Sequence, residues 1–287
     1  MNCLLTPGRN ELTIQSFEKM LTNINLKSSL ITVDLRQIKF IDPYGLVNLL
    51  LLAKWLFSYT TNIFYVLPES IKVNSYLQRM KFWYNVKDYV HFYPHLENNL
   101  KKQKINSSDV LLELTPIKKE DDVASVVQII VDRIHQVIAK KLHISPEIAT
   151  KFSVCLAELC QNIPQHSGDW GFAAAQTYHY NGQPFLKLAV GDLGIGIKKS
   201  LWNSSKQNWL EDKKAILAAT ELGISRYGEI GRGLGLSQVK KYVIEFNGKM
   251  YIRSGQARLF FSKEKQVSLK TPYFPGTQIS IELPGNN

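Results

Sequence analysis

Apolar and polar positions alternate from Ile31 to Leu35, inside SLITVDLRQIKFID (Ser29 to Asp42), and the run ends at Pro-Tyr-Gly. A period of two with β-branched residues predicts a strand closed by a turn. Leu46 to Ser58 then has the length and Leu/Ala/Lys content of a buried helix, and Asn62 to Leu67 (NIFYVL) predicts the next strand. A helix is expected from about Glu69 to Met80, followed by a short apolar stretch near Val86 to Phe92. Strand, helix, strand, helix makes a small α/β domain. LENNLKKQKINSS, Leu96 to Ser108, is polar, basic and without periodicity, and it is the candidate linker. The chain therefore divides at about residue 104, into domains 1–104 and 105–287.

The second part opens with DVLLEL (Asp109 to Leu114), a strand ending at Pro116. Asp121 to Leu142 has helical spacing in Val123, Val126, Ile130, Ile134 and Val137, with acidic residues at its start and lysines at its end, as a helix dipole favours. Ser145 and Pro146 form an N-cap and first-turn pair for the next helix. Phe172 to Tyr180 and Pro184 to Val190 predict two strands joined by Asn181-Gly182, a hairpin signal. A long connection from Ile197 to Gly231 leads to a helix over Leu236 to Phe246 and a turn at Asn247-Gly248. Strands follow at Lys249 to Ser254, Ala257 to Ser262 and Thr277 to Leu283. The fold class is α/β in both parts.

Composition narrows this only a little. A chain of 287 residues with 45% hydrophobic content can build two cores. MNCLLTPGRN reaches Pro7 and Arg9 before an apolar core forms, which argues against a signal peptide. The longest apolar run, Leu46 to Phe57, is interrupted by Asn48 and Lys54 and falls short of the roughly 20 residues a spanning helix needs. The expectation is a soluble cytoplasmic protein without membrane contact. Cys3, Cys155 and Cys160 suit neither a disulfide nor a zinc site and read as small core residues. The net charge of +11, from 35 basic and 24 acidic residues, permits an acidic partner, a nucleotide or a nucleic acid. No nucleic-acid-binding motif accompanies it.

Candidate chemistry begins in FSVCLAELCQNIPQHS (Phe152 to Ser167), where Glu158, Asn162 and His166 recur every four residues and share one helix face. A solvated helix edge and a ligand-covering helix both give this stripe. GDLGIGI (Gly191 to Ile197) follows a predicted buried strand, so the Asp192 carboxylate needs a donor; a purine's exocyclic amine is one. Gly194 and Gly196 would let the backbone approach a flat base, while a tight turn is the plain alternative. GRGLGLSQVKKYV (Gly231 to Val243) runs directly into a helix, whose free N–H groups suit phosphate. Pro275-Gly276-Thr277 leads into the last strand.

In that order, Glu158-x-x-x-Asn162-x-x-x-His166, Asp192-x-Gly194-x-Gly196, Gly231-x-Gly233-Leu234-Gly235 and Pro275-Gly276-Thr277 resemble the GHKL superfamily of ATP-binding domains. Gyrase B, the heat-shock chaperone, histidine kinases and the MutL proteins share it. The resemblance covers about Asp109 to Leu283, and FNGKMYIRSG with FPGTQISIELP is most similar to its histidine-kinase and anti-sigma-kinase branch. It implies a Bergerat-type α/β sandwich, a mixed sheet covered by helices, holding ATP and Mg²⁺. Asn162 would coordinate the Mg²⁺ and Glu158 would orient and deprotonate a water or hydroxyl. Asp192 would accept from the adenine amine, with Gly194 and Gly196 lining the base pocket and Thr277 supporting it. Gly231, Arg232, Gly233, Leu234 and Gly235 would hold the phosphates. Ile197 to Ile230 would be a lid from which Arg226, or Arg232 beyond it, reaches the terminal phosphate. Gln165 stands where histidine kinases of this type carry lysine, and His135 is followed by Gln136 instead of an acidic residue, which disfavours a two-component sensor kinase.

ITVDLRQIKFIDPYGLVNLLLLAKWL, in turn, is similar to STAS domains, the fold of anti-sigma-factor antagonists. That family's phosphorylated hydroxyl follows Asp-Ser; here the motif is Asp42-Pro43-Tyr44-Gly45, and serine phosphorylation at this site is excluded. Together the resemblances imply a bacterial regulatory ATP-binding protein, either a Mg-dependent ATPase or a nucleotide-dependent partner switch. Its partner would be another regulatory protein, or its own STAS-like part, and family members often form homodimers. The alternatives are a protein serine/threonine kinase acting on a separate STAS protein, and a MutL-like ATP-gated clamp on nucleic acid.

Overall fold

The computed structural model describes residues 2–95, 110–133, 145–205, 211–221 and 235–285. The chain divides into two compact units, Met1–Ser108 and Asp109–Asn287. The linker segment Leu96 to Ser108 lies outside the described residues, as does His135. Both units are α/β, the first around a parallel sheet and the second around an antiparallel one.

Unit 1 runs β1 (Asn2–Leu5), β2 (Glu11–Leu12), α1 (Ile14–Thr22), β3 (Leu30–Asp34), β4 (Phe40–Ile41), α2 (Pro43–Phe57), β5 (Ile63–Val66), α3 (Ile71–Arg79), α4 (Phe82–Val86) and β6 (His91–Tyr93). Its four-stranded sheet has the order β1-β3-β5-β6, parallel at every pairing, and β2 and β4 form a separate short parallel pair. Cys3, Leu5, Ile31, Val33, Ile63 and Tyr65 alternate onto the buried face. All of α2 is buried except Lys54 and Phe57, so it forms the core of the unit. That helix starts three residues before the predicted Leu46, because Asp-Pro-Tyr-Gly is a cap and first turn instead of a turn after a strand. The Asp42 carboxylate accepts from the Gly45 N–H at 2.7 Å, and Pro43 sits where no N–H is needed. A Cβ on Gly45 would fall 2.2 Å from the Leu12 carbonyl, so glycine is what lets the helix meet β2.

Unit 2 runs β7 (Val110–Ile117), α5 (Glu120–Arg133), α6 (Pro146–Asn162), a π turn (Ile163–Ser167), β8 (Gly171–Tyr180), β9 (Gln183–Asp192), α7 (Gly196–Ser205), α8 (Asp212–Glu221), α9 (Gly235–Glu245), β10 (Lys249–Phe261) and β11 (Gln266–Pro284). The sheet order is β10-β11-β9-β8-β7. Every pairing is antiparallel, which corrects the expected mixed sheet: β8 and β9, and β10 and β11, are joined by short hairpin connections. β7 continues through Pro116, tolerated because this strand is at the sheet edge. Phe152, Leu156 and Leu159 of α6, Val126 and Ile130 of α5, Ile216 of α8 and Val239 and Val243 of α9 share one core with Ala173, Leu188, Val190, Ile252 and Ile281 of the sheet.

Two further expectations change. The connection from Ile197 to Gly231 contains two helices, and Ala215, Ile216, Ala218 and Ala219 of α8 are buried, so this part is built into the core. Lys249 to Phe261 is one strand with a bulge between Ser254 and Ala257, and β11 begins well before Thr277. Among the described residues no helix is long and apolar enough to cross a membrane.

Candidate functional site

Helix α6 is set by Ser145, whose hydroxyl accepts from the Ile148 N–H at 3.2 Å, and by Pro146 in its first turn. Its α geometry stops at Asn162 and gives way to the π turn over Ile163–Ser167. Pro164 supplies the cause, since it lacks an N–H and its ring crowds the carbonyl four residues back. Such turns recur at functional sites, and this one brings His166 and Ser167 onto the wall of a cavity of about 110 Å³ that Asn162 also lines. The Asn162 Nδ2 is buried with no hydrogen-bond partner among the described residues. Glu158, one turn earlier, is half-buried, and burial raises its carboxyl above the usual range.

Asp192 ends β9, the middle strand, and reaches the same cavity. Its carboxylate accepts from the Gly194 N–H at 2.8 Å, and the polar groups of Ser167 and Thr277 nearby also favour its charged form. Burial nevertheless prevails and raises the carboxyl to about 6. Gly196, with φ of +74°, lies on the cavity wall. Gly194 stands behind it: a Cβ there would fall 2.0 Å from the Ser167 carbonyl, so its lack of a side chain serves the contact between the loop and the π turn.

The third wall is the N-terminus of α9. A Cβ on Gly235 would lie 3.1 Å from Glu158 Oε2, 3.8 Å from Asn162 Nδ2 and 3.9 Å from Asn162 Oδ1. The glycine thus keeps the first described turn of α9 directly against the acid and the amide. Gly231, Arg232, Gly233, Leu234 and Arg226 lie outside the described residues. Thr277, on β11, completes the wall beside Asp192. Leu159, Ile163, Val190, Leu201, Leu236 and Ile279 make the remainder apolar.

The arrangement offers an acceptor for a donor group at Asp192, an apolar slot for a ring, and a helix N-terminus with an amide for an anion. Glu158 beside it is a carboxylate whose raised pKa suits proton transfer. Among the described residues no cluster of three His, Cys, Asp or Glu side chains can hold a metal ion. A hard cation here would take most of its oxygens from its ligand, as Mg²⁺ does in phosphate sites.

Three polar residues behind the site were not singled out by sequence. Ser254 accepts from the Ile197 N–H at 3.0 Å and donates to the Gly276 carbonyl at 3.0 Å, tying α7 to the turn before Thr277. Arg253 and Gln278 are buried in the adjoining strands. A polar residue in an alternating strand carries no sign in the sequence that it points inward. Elsewhere, Tyr44 is fully buried with its ring edge-on to Phe17 at 6.2 Å. Cys155 and Cys160 are fully buried too, and burial raises the Cys155 thiol to about 12, so neither is a nucleophile at neutral pH. No protein-family model matches the chain, and no curated protein does.

Proposed function

We propose that residues 105–287 form an ATP-binding domain of the GHKL type, with the Bergerat fold, and that residues 1–104 form a STAS-like domain through which the chain meets a regulatory partner. The observation that carries this reading is the convergence of Asn162, Asp192, Gly196, Gly235 and Thr277, from four separate stretches of sequence, on one cavity. The residues fit the nucleotide. Asp192 is a buried acceptor for the adenine amine, and the orphaned Asn162 amide and the glycine-opened N-terminus of α9 suit the phosphates.

Bound Mg²⁺ would neutralise phosphate charge and hold the phosphates for transfer. Asn162 would bind the cation through its Oδ1, and Glu158 would orient a water or hydroxyl and take its proton. The half-burial that raises the Glu158 pKa makes it a better base at neutral pH than an exposed carboxylate. Transfer to the chain's own Tyr44 is disfavoured by the complete burial of that side chain. If a phosphoryl group is transferred to protein, the acceptor is then a separate STAS-like protein. The basic charge is the single feature that favours nucleic acid.

Calorimetric titration of ATP and ADP with Mg²⁺ into the wild type and an Asp192→Asn variant, followed by a phosphate-release assay, tests the reading. Binding in the wild type and its loss in the variant are expected; no binding to the wild type would sink it. Glu158→Gln should keep ATP affinity within about threefold while lowering phosphate release or partner labelling by ~100-fold or more. Unchanged turnover in that variant would remove Glu158 from its role.

A further inference from the structure

Arg253 on β10 and Gln278 on β11 are opposite one another in the strand register, and both are completely buried. Neither touches the cavity described above, yet both bond to the backbone that builds it. Arg253 Nη1 donates to the Gly255 carbonyl at 3.1 Å and to the Phe274 carbonyl at 3.3 Å, and Nη2 donates to the Pro272 carbonyl. Gln278 Nε2 donates to the Pro275 carbonyl at 2.7 Å and to the Asp192 carbonyl at 2.8 Å. Two carbonyl oxygens around one amide nitrogen settle which end of the amide is which.

The cost of this arrangement is visible. Gln278 Oε1 is buried with no hydrogen-bond partner among the described residues, so one acceptor has given up water without a replacement. What the two side chains achieve is alignment: Arg253 fixes the stretch from Pro272 to Phe274, and Gln278 ties its continuation at Pro275 to the backbone of Asp192. Gly276 then turns with φ of +75°, where a Cβ would fall 2.1 Å from the Asp192 carbonyl. Thr277 follows, on the cavity wall beside Asp192. The backbone of Asp192 is therefore held from β11, while the Gly194 N–H holds its carboxylate.

We propose that Arg253 and Gln278 are positioning residues that aim the Asp192 carboxylate at the exocyclic amine of an adenine base, and so set base selectivity. This rests on the nucleotide reading above. A hydrogen bond weakens steeply once its angle falls toward ~120°, so a small drift of the Asp192 carboxylate removes the preference for an amine without closing the cavity.

The test compares ATP with inosine triphosphate, which carries an oxygen in place of the amine, by titration with Mg²⁺ into the wild type, Gln278→Met and Arg253→Lys. The wild type should prefer ATP by ~10-fold or more, the size expected for one buried hydrogen bond to a charged group. Gln278→Met keeps the side-chain length and removes both donations, and its ATP preference should shrink to within about threefold of unity. A residue that acts on stability alone would weaken both triphosphates together, so an unchanged ratio in Gln278→Met overturns the proposal. Should that variant fail to fold, Arg253→Lys keeps the charge without the fork of donors and is judged by the same ratio. A wild type that binds both triphosphates equally also overturns it while leaving the nucleotide site standing. A wild type that binds neither sinks the nucleotide reading itself, and this inference with it.

Discussion

Under the proposed function, Asp192 places recognition and stability in opposition at a single carboxyl group. Burial raises its pKa from the usual 3.8 to about 6, so in the folded chain it keeps a proton that the unfolded chain has released. Between pH ~4 and ~6 the folded state therefore binds more protons, and stability falls as pH rises through that window. At neutral pH the cost is on the order of 3 kcal/mol. Asp192→Asn is accordingly expected to melt at no lower a temperature than the wild type at pH 7.5, with any advantage shrinking toward pH 4, although it loses nucleotide binding. Thermal unfolding across pH checks this; a variant much less stable at pH 7.5 would mean that hydrogen bonds at this carboxylate outweigh its desolvation. Wild-type affinity for ATP should weaken as pH falls below ~6, because the protonated carboxyl is a poorer acceptor. Asp192, Asn162 and Glu158 were legible in the sequence because their spacing is tied to elements whose periodicity shows. Arg253 and Gln278 were not, since strand alternation gives two faces without saying which one is buried, and polarity suggests the wrong one.

At the level of elements, the signals that could be read were those with a local backbone cause. Asn181 and Gly182 take φ of +51° and +78°, the left-handed pair that a two-residue hairpin requires. Ser145 and Pro146 start α6 as expected. Asp42-Pro43 misled because the same residues open a helix as readily as a turn, and the choice was made by burial of α2 against β2. Helices α7 (GIKKSLWNSS) and α8 (DKKAILAATE) were hidden because neither shows a broad apolar stripe, and α8 packs through small alanines. The bulge at Gly255 made one strand look like two. Glycine substitutions separate local from tertiary causes. A methyl group added at Gly182 would meet no neighbour within 4 Å, so Gly182→Ala should lose only ~1 kcal/mol, the cost of a left-handed alanine. Gly45→Ala would push a methyl into the Leu12 carbonyl and should cost ~2 kcal/mol or more. Denaturant titration of both variants ranks them, and equal losses would show that the α2–β2 contact yields easily.

Across the whole molecule, the two units have separate cores and separate sheets. A fragment carrying residues 105–287 is therefore expected to unfold cooperatively and to bind ATP with the full-length affinity to within about threefold. Calorimetry on the fragment measures it, and affinity that disappears with the first unit would make residues 1–104 part of the binding machinery. The position of β9 has a further consequence on the timescale of amide hydrogen exchange. Flanked by β8 and β11, its amides at Leu188–Val190 can take up deuterium only when the sheet opens as a whole. The first described residues of α9 sit across the site from it, with Gly235 against Glu158 and Asn162. Nucleotide should then slow exchange at Gly235–Ser237 and leave Leu188–Val190 unchanged, one wall of the site recording the ligand's arrival and the other only the lifetime of the fold.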